Sequence, residues 1–350
     1  MSTEEDVLFE SIRNMGVITL NRPKALNALN LSMVRKIYPK MKEWETEKAF
    51  VLIKGSGDKS FCAGGDVRAI VESGMKGDRL GYEFFGREYT LNALIGGYKI
   101  PYVALVDGIC MGGGVGLSIH GRYRVATEKT LFAMPETIIG LFPDVGATYA
   151  LPRLEGKLGA YLALTGHRLK GYDVLLSGIA THYCHSLQIP ELEEALSKCN
   201  NDGDIKDTLK KFNKSEDKPF SLASVLPKIN KCFSAPSVEL ILKALEEDCS
   251  DWSQSTINNL SKMSPTSLKV SLKALNEGAK LNLQECLQME NRIASGCLSN
   301  KDFYEGVRAL LIDKDQKPKW QPSTLAEVTD DMVNSYFKKL PDSNELRFKL

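Results

Sequence analysis

The stretch from Gly108 to Asp144, GICMGGGVGLSIHGRYRVATEKTLFAMPETIIGLFPD, decides how this chain is read. It follows an apolar run, Val103-Ala-Leu-Val106, that reads as a short buried strand. Met111-Gly-Gly-Gly-Val-Gly116 then reads as a turn opening a helix. The first amides of a helix have no internal partners and stabilise negative charge. Glycines at 112, 113, 114 and 116 carry no Cβ, so a substrate carbonyl can approach the main chain closely. Such geometry suits an oxyanion. About twenty residues on, Glu136 and Asp144 supply two carboxylates eight positions apart.

Three familiar glycine-rich motifs are set aside by spacing. A phosphate-cradling loop needs Gly-Lys-Ser/Thr, whereas Val115-Gly116-Leu117 stands here. The dinucleotide fingerprint needs a sixth-place glycine, but counting from Gly112 or Gly114 gives Leu117 or Ile119. The esterase elbow comes nearest at Gly116-Leu-Ser118-Ile-His120, with His120 where its last glycine belongs. The bland alternative is that the glycines merely allow close helix packing. Ser60-Phe-Cys-Ala-Gly-Gly-Asp66 counts against that alternative. It is a second glycine-rich turn after a second apolar run, Phe50-Val-Leu-Ile53. One backbone donor from each turn makes a hole for an oxyanion.

These residues resemble the crotonase (enoyl-CoA hydratase/isomerase) superfamily. The likeness is carried by Asn21-Arg-Pro-Lys-Ala-Leu-Asn-Ala28, Phe61-Cys-Ala-Gly-Gly-Asp66, Asp107-Gly108, Met111-Gly-Gly-Gly114, Met134-Pro-Glu136 and Gly140-Leu-Phe-Pro143, in matching order and spacing. Within the superfamily the chain is most similar to hydrolases of short β-hydroxyacyl-CoA thioesters. Gly140 to Gly146, Phe303 to Ala309 and Leu311 to Gln316 extend that similarity over nearly the whole chain. The resemblance implies an α/β fold, a spiral of β-β-α repeats followed by a largely helical C-terminal region. It implies hydrolysis of an acyl-CoA such as 3-hydroxyisobutyryl-CoA, an intermediate of valine breakdown, with coenzyme A as part of the substrate and no metal or redox cofactor. A hydratase or isomerase on the same scaffold, and a non-catalytic acyl-CoA- or RNA-binding protein, are the alternatives.

The resemblance also assigns roles. The amides of Gly65 and Gly113 would hold the thioester oxygen, and Glu136 would activate water or attack the carbonyl itself. Simple hydratases use a second glutamate two residues after the glycine triplet, where this chain has Gly116. An acid appears instead at Asp144, short enough to bond a substrate hydroxyl. Glu88 enters as a substrate contact by resemblance alone; unaided, Arg87-Glu88 on a helix over Leu80 to Ile95 reads as a solvated pair. Lys24, Ala25, Ala63, Gly64, Gly65 and Asp66 would line the coenzyme site, with Lys24 the phosphate contact.

Composition fits an ordinary soluble enzyme. The 350 residues carry a net charge of +1 and 43% hydrophobic content, which argues against nucleic-acid or membrane partners. Eight cysteines without a Cys-x-x-Cys pair fit free thiols in a reducing compartment. His182-Tyr-Cys184-His185 has metal-ligand residue types but no complementary pair elsewhere. The acidic start, Met-Ser-Thr-Glu-Glu-Asp6, lacks the Arg-rich amphipathic signature of an organellar presequence, so the mitochondrial matrix implied by resemblance requires one removed or omitted. Phe-Lys-Leu350 departs from the peroxisomal Ser-Lys-Leu address in its first residue, keeping the peroxisome as a minor alternative.

Strand, loop and helix alternate to about residue 186, which predicts a catalytic core over 1–186. Hairpin strands are expected at Val7 to Glu10 and Val17 to Leu20. A helical stripe from Leu31 to Glu47 contains Pro39, expected to kink it or restrict it to two turns. Residues 187–350 read as helices at 192–199, 205–212, 238–247, 252–263, 268–277, 283–295 and 303–311, joined by polar linkers. This region is longer than the compact tail of simple hydratases, which leaves a homo-oligomer possible without fixing its order.

Overall fold

The computed structural model describes residues 5–348; both terminal addresses read above extend outside the described residues. A tight hairpin opens the chain: β1 (Val7–Ile12) pairs antiparallel with β2 (Met15–Leu20). Then strands come in twos: β3 (Phe50–Gly55) and β4 (Ser60–Cys62), β5 (Tyr102–Val106) and β6 (Ile109–Met111), β7 (Tyr123–Ala126) and β8 (Leu131–Ala133), and the short β9 (Leu169–Lys170) and β10 (His182–Tyr183). The first member of each of the first three pairs enters a six-stranded sheet of order β1-β2-β3-β5-β7-β10. The second enters a four-stranded sheet of order β4-β6-β8-β9. Helical segments follow each of these pairs in sequence, giving the expected β-β-α spiral.

The described chain forms two compact units that interleave along the sequence. One holds the residues to Gly65, Thr90–Phe132 and Arg168–Phe220; the other holds Asp66–Tyr89, Ala133–His167 and the residues from Ser221. In the first unit, Met15, Val17, Phe50, Leu52, Val103, Leu105, Tyr123 and Val125 recur at every second position and line one sheet face. Leu192 and Leu196, from the helix Ile189–Leu196, and Ile205 and Leu209, from the helix Asp202–Phe212, cover that face. The second unit is largely helical. No strand follows β10 among the described residues.

The helix Leu31–Glu47 runs unbroken through Pro39, against the expected interruption. Pro39 lies on the exposed side, where water can satisfy the carbonyl its ring leaves without a donor. Met33, Val34, Ile37, Met41 and Trp44 are buried on both sides of the proline, so one apolar stripe holds both halves. Asn30 caps the start, its side chain accepting from the Met33 amide at 2.8 Å. The expected C-terminal helices are present with shifted ends. The last of them is shorter, Lys301–Val307, and continues as a π-helical turn, Arg308–Ile312. A helix at Leu226–Cys232, opened by a proline in its first turn, was not foreseen.

Candidate active site

In the first unit, parallel pairing brings the two glycine turns together. β4 is itself a strand, so the second turn follows it directly and not the Phe50 strand. Cys62 of β4 pairs with Cys110 of β6, and Gly65 and Gly113 each lie three residues beyond those partners. Equal offsets on parallel neighbours deliver both amides to the same sheet end. Gly113 opens the helical turn Gly113–Gly116, so its amide belongs to the set without intrahelical partners. The approach is close. A Cβ on Gly114 would lie 2.2 Å from the Cys62 carbonyl oxygen, and Gly64 holds φ +121° with Met111 O 3.5 Å from its would-be Cβ. Gly114→Ala is therefore expected to destabilise the protein by roughly 1–3 kcal/mol in denaturant unfolding. An unchanged midpoint would mean the turns are not so tightly apposed.

The Asn21–Ala28 loop is fastened to the same turn. Asn27 is fully buried; its Oδ1 accepts from the Arg22 amide at 2.9 Å and its Nδ2 donates to Ser56 O and Ser60 O at 2.9 and 2.8 Å. The Ala63 amide donates to Leu26 O, and the Leu29 amide to Gly64 O. Thus Lys24 and Ala25, both exposed, share a loop bonded to the strand end carrying Ala63, Gly64 and Gly65. Asp66, first residue of the second unit, caps the helix Val67–Gly74 through the Ala69 amide. Ser118 spends its hydroxyl on Gly114 O and Val115 O, both at 3.1 Å, and is no activated nucleophile. His182 contacts Thr181, and His185 lies 3.8 Å from Glu128. None of the eight cysteines forms a disulfide. Among the described residues no cluster of three or more His, Cys, Asp or Glu is arranged to hold a metal ion.

Among the buried carboxyls of the second unit, four form an electrostatically linked set: Glu88, Glu136, Asp144 and Glu290. Glu88 corrects the unaided reading of a solvated charge, for it is 2% exposed and its Oε1 has no partner. Glu136 begins the 3-10 turn Glu136–Ile139, and its Oε2 is also buried without a partner. Asp144 Oδ2 accepts from the Tyr89 hydroxyl at 2.7 Å. Burial raises all four above the carboxylate range, and for Glu88, Glu136 and Glu290 neighbouring acids add to it. Glu88 is pushed up by burial and then by Asp144, Glu136 and Glu290; Glu136 by burial and then by Asp144. Asp144 rises to about 7, mainly by burial and against the Tyr89 hydrogen bond. Acids so placed do not all ionise at neutral pH.

This raises a stability prediction. Asp144 has its folded pKa above the ordinary 3.8, so folding is favoured by its protonated form. That contribution is complete below about pH 4 and is lost as pH climbs through about 7. Asp144→Asn should therefore gain stability relative to the parent as pH rises from 4 to 8, by a few kcal/mol. A melting-temperature difference that is flat over this range would refute the shift.

Sequence reading missed what the C-terminal helices contribute here. The Ser264 amide donates to Thr137 O at 3.1 Å, while its hydroxyl bonds Asp302 at 2.6 Å. A Cβ on Gly140 would lie 2.2 Å from Asp302 O, and one on Gly306 2.4 Å from Ile139 C. The helix Lys301–Val307 thus packs backbone to backbone on the Glu136 turn. Tyr89 was unmarked too, and Glu290 sits on the helix Leu283–Ser299 with no local motif to flag it. A glutamate on the apolar stripe of that helix was the available signal, its neighbours Met289 and Ile293 being buried.

Residues 15–337 match the family model described as enoyl-CoA hydratase/isomerase. The chain belongs to that family. It is 58% identical over 337 residues to "3-hydroxyisobutyryl-CoA hydrolase, mitochondrial" of Xenopus tropicalis, covering 94% of this chain and 88% of that one. Identity to the Homo sapiens protein of the same name is 52% over 352 residues, covering 98% and 91%. Among solved structures, a carnitinyl-CoA dehydratase from Mycobacterium thermoresistibile superposes with TM-score 0.92 at 39% identity, covering 99% of both chains. An enoyl-CoA hydratase from Rhodobacter sphaeroides gives 0.90 at 33% identity, over 98% of this chain and 100% of that one.

Proposed function

We propose that this protein hydrolyses the thioester of 3-hydroxyisobutyryl-CoA and related short β-hydroxyacyl-CoAs, giving the free hydroxy acid and coenzyme A. The observation that carries the reading within this family is the acid set. The position two residues after the glycine triplet is Gly116, inside the turn, while Glu136 and Asp144 of the motif are both buried. A hydratase of the two-glutamate kind lacks half its acid/base pair on this chain. Relatives at 52–58% identity bearing the hydrolase name support the same choice.

In the reaction, water adds to the thioester carbon, charge passes to the carbonyl oxygen, and the carbon–sulfur bond breaks. The amides of Gly65 and Gly113 take the oxygen; each such donor contributes ~3 kcal/mol to lowering the barrier. Ionised Glu136 accepts the proton of water, and the departing thiolate receives one as coenzyme A leaves. Glu136 can instead attack as nucleophile, its acyl anhydride then opened by water. Asp144, steadied by Tyr89, accepts the β-hydroxyl of the acyl group, with Glu88 a further substrate contact. Lys24, Ala25, Ala63, Gly64, Gly65 and Asp66 bind the coenzyme. The relatives' names support a mitochondrial location; within the organelle we propose the matrix.

The test is thiol release from 3-hydroxyisobutyryl-CoA beside loss of enoyl absorbance with crotonyl-CoA. Rapid release with little hydration is expected. The reverse pattern would make the protein a hydratase.

A further inference from the structure

Glu290 carries more hydrogen bonds than any other acid of the buried set, and none of the chemistry above uses it. Its Oε2 accepts from the Gly146 amide at 2.7 Å; its Oε1 accepts from the Thr148 amide at 3.1 Å and the Thr148 hydroxyl at 2.6 Å. All three donors lie within four residues of Asp144. The turn they anchor is strained. Val145 holds φ +55°, a left-handed conformation that a β-branched residue rarely adopts, and Gly146 follows at φ +81°. Such backbone costs about 1–3 kcal/mol and persists where its surroundings over-determine it. On one side Tyr89 fixes the Asp144 carboxylate; on the other, the Ala147 amide closes the turn onto Asp144 O at 2.8 Å. Glu290 adds a long-range tie, from a helix 144 residues downstream of Gly146.

We propose that Glu290 is a positioning residue, whose carboxylate clamps the 145–148 turn so that Asp144 meets the β-hydroxyl of the substrate. The proposal rests on the hydrolase reading and on the hydroxyl-binding role of Asp144. Burial and, less strongly, nearby Asp144 push Glu290 up to about 8 against the pull of its three donors, so the acid is held there at a cost. The fork geometry gives the reason. Two oxygens with four lone-pair sites can take three converging donors, which an amide of the same shape cannot.

The test measures thiol release on full-length protein and compares the kcat/KM values of two substrates, 3-hydroxyisobutyryl-CoA and isobutyryl-CoA, in the parent, Glu290→Gln and Thr148→Val. A clamp that aims Asp144 loses discrimination when loosened. The preference for the hydroxylated substrate should fall by ~10-fold or more in Glu290→Gln, and by less in Thr148→Val, which removes one of the three donors. Thr148→Val in the Glu290→Gln background should add little, since the two act through one fork. Equal losses on both substrates, or an unchanged preference, would overturn the proposal. Should Glu290→Gln fail to fold, an unchanged ratio in Thr148→Val overturns it alone. A parent enzyme that releases no thiol from either substrate would sink the hydrolase reading and the clamp together, whereas a discriminating parent with indifferent variants sinks only the clamp.

Discussion

Glu136→Gln should lower turnover with 3-hydroxyisobutyryl-CoA by ~100-fold or more while the protein stays folded and binds substrate. Glutamine keeps the shape of the side chain and removes both basicity and nucleophilicity. Either route through Glu136 needs the carboxylate, so the loss does not depend on which one operates. The surroundings argue that the charge serves chemistry. Glu136 is buried, its Oε2 meets no donor, and burial followed by Asp144 drives its pKa well above the carboxylate range. A structural glutamate would be paired. Removing the charge should therefore leave the melting temperature level or raise it. The direction of the shift also sets the pH profile: the acid limb of kcat/KM should lie above the ordinary carboxylate range, because the working form appears only as Glu136 loses its proton. A Gln variant with near-parental turnover would take Glu136 out of the mechanism. Oxygen-18 incorporated into the Glu136 carboxylate during one turnover would mark the anhydride route.

Which features were legible in the sequence depends on how local their causes are. Four of the longer strands and both glycine turns could be read because apolar runs and missing Cβ atoms are local facts, whereas the three-residue β4 and β6 that carry the turns were not. The equal offset of Gly65 and Gly113 from Cys62 and Cys110 is a matter of register, and register is set by which strands pair. Pro39 shows the opposite failure. Its local rule is sound, yet a stripe of buried residues on both sides outweighs one missing hydrogen bond on an exposed face.

The acid set was half legible for the same reason. Glu136 and Asp144 stand in a recognisable stretch, but nothing local separates buried Glu88 from its exposed neighbour Arg87, since both fit a helix. Burial decides between them, and burial comes from other segments. The motif from Phe303 to Gln316 has a structural meaning that its residues alone did not disclose. Arg308 binds Glu305 and, at 2.6 and 2.7 Å, Asp313 and Asp315, which ties the segment after the helix back onto it. Gly306 in that motif lets the helix touch the Glu136 turn.

Asp144→Ala should cost the hydroxylated substrate far more than its unhydroxylated analogue. In the parent enzyme, isobutyryl-CoA leaves a buried acceptor without its donor, at ~1–3 kcal/mol. A site built to bond a hydroxyl discriminates by orders of magnitude, whereas one that merely accommodates an extra atom gains ~10-fold to 200-fold. Tyr89 strengthens the case by holding Oδ2 and fixing the carboxylate, so the group is oriented before substrate arrives. Alanine removes the acceptor and its desolvation cost together. With the hydroxylated substrate kcat/KM should fall by ~100-fold or more, with isobutyryl-CoA it should change little, and the ratio between them should shrink accordingly. If both substrates lose rate equally, Asp144 serves the common thioester step. Its effect on Glu136 gives that outcome a physical route, because Asp144 is the first charge after burial to raise the Glu136 pKa. The pH profile separates the two roles: removing Asp144 should shift the acid limb downward in either case, but only the hydroxyl-binding role makes the loss depend on the substrate.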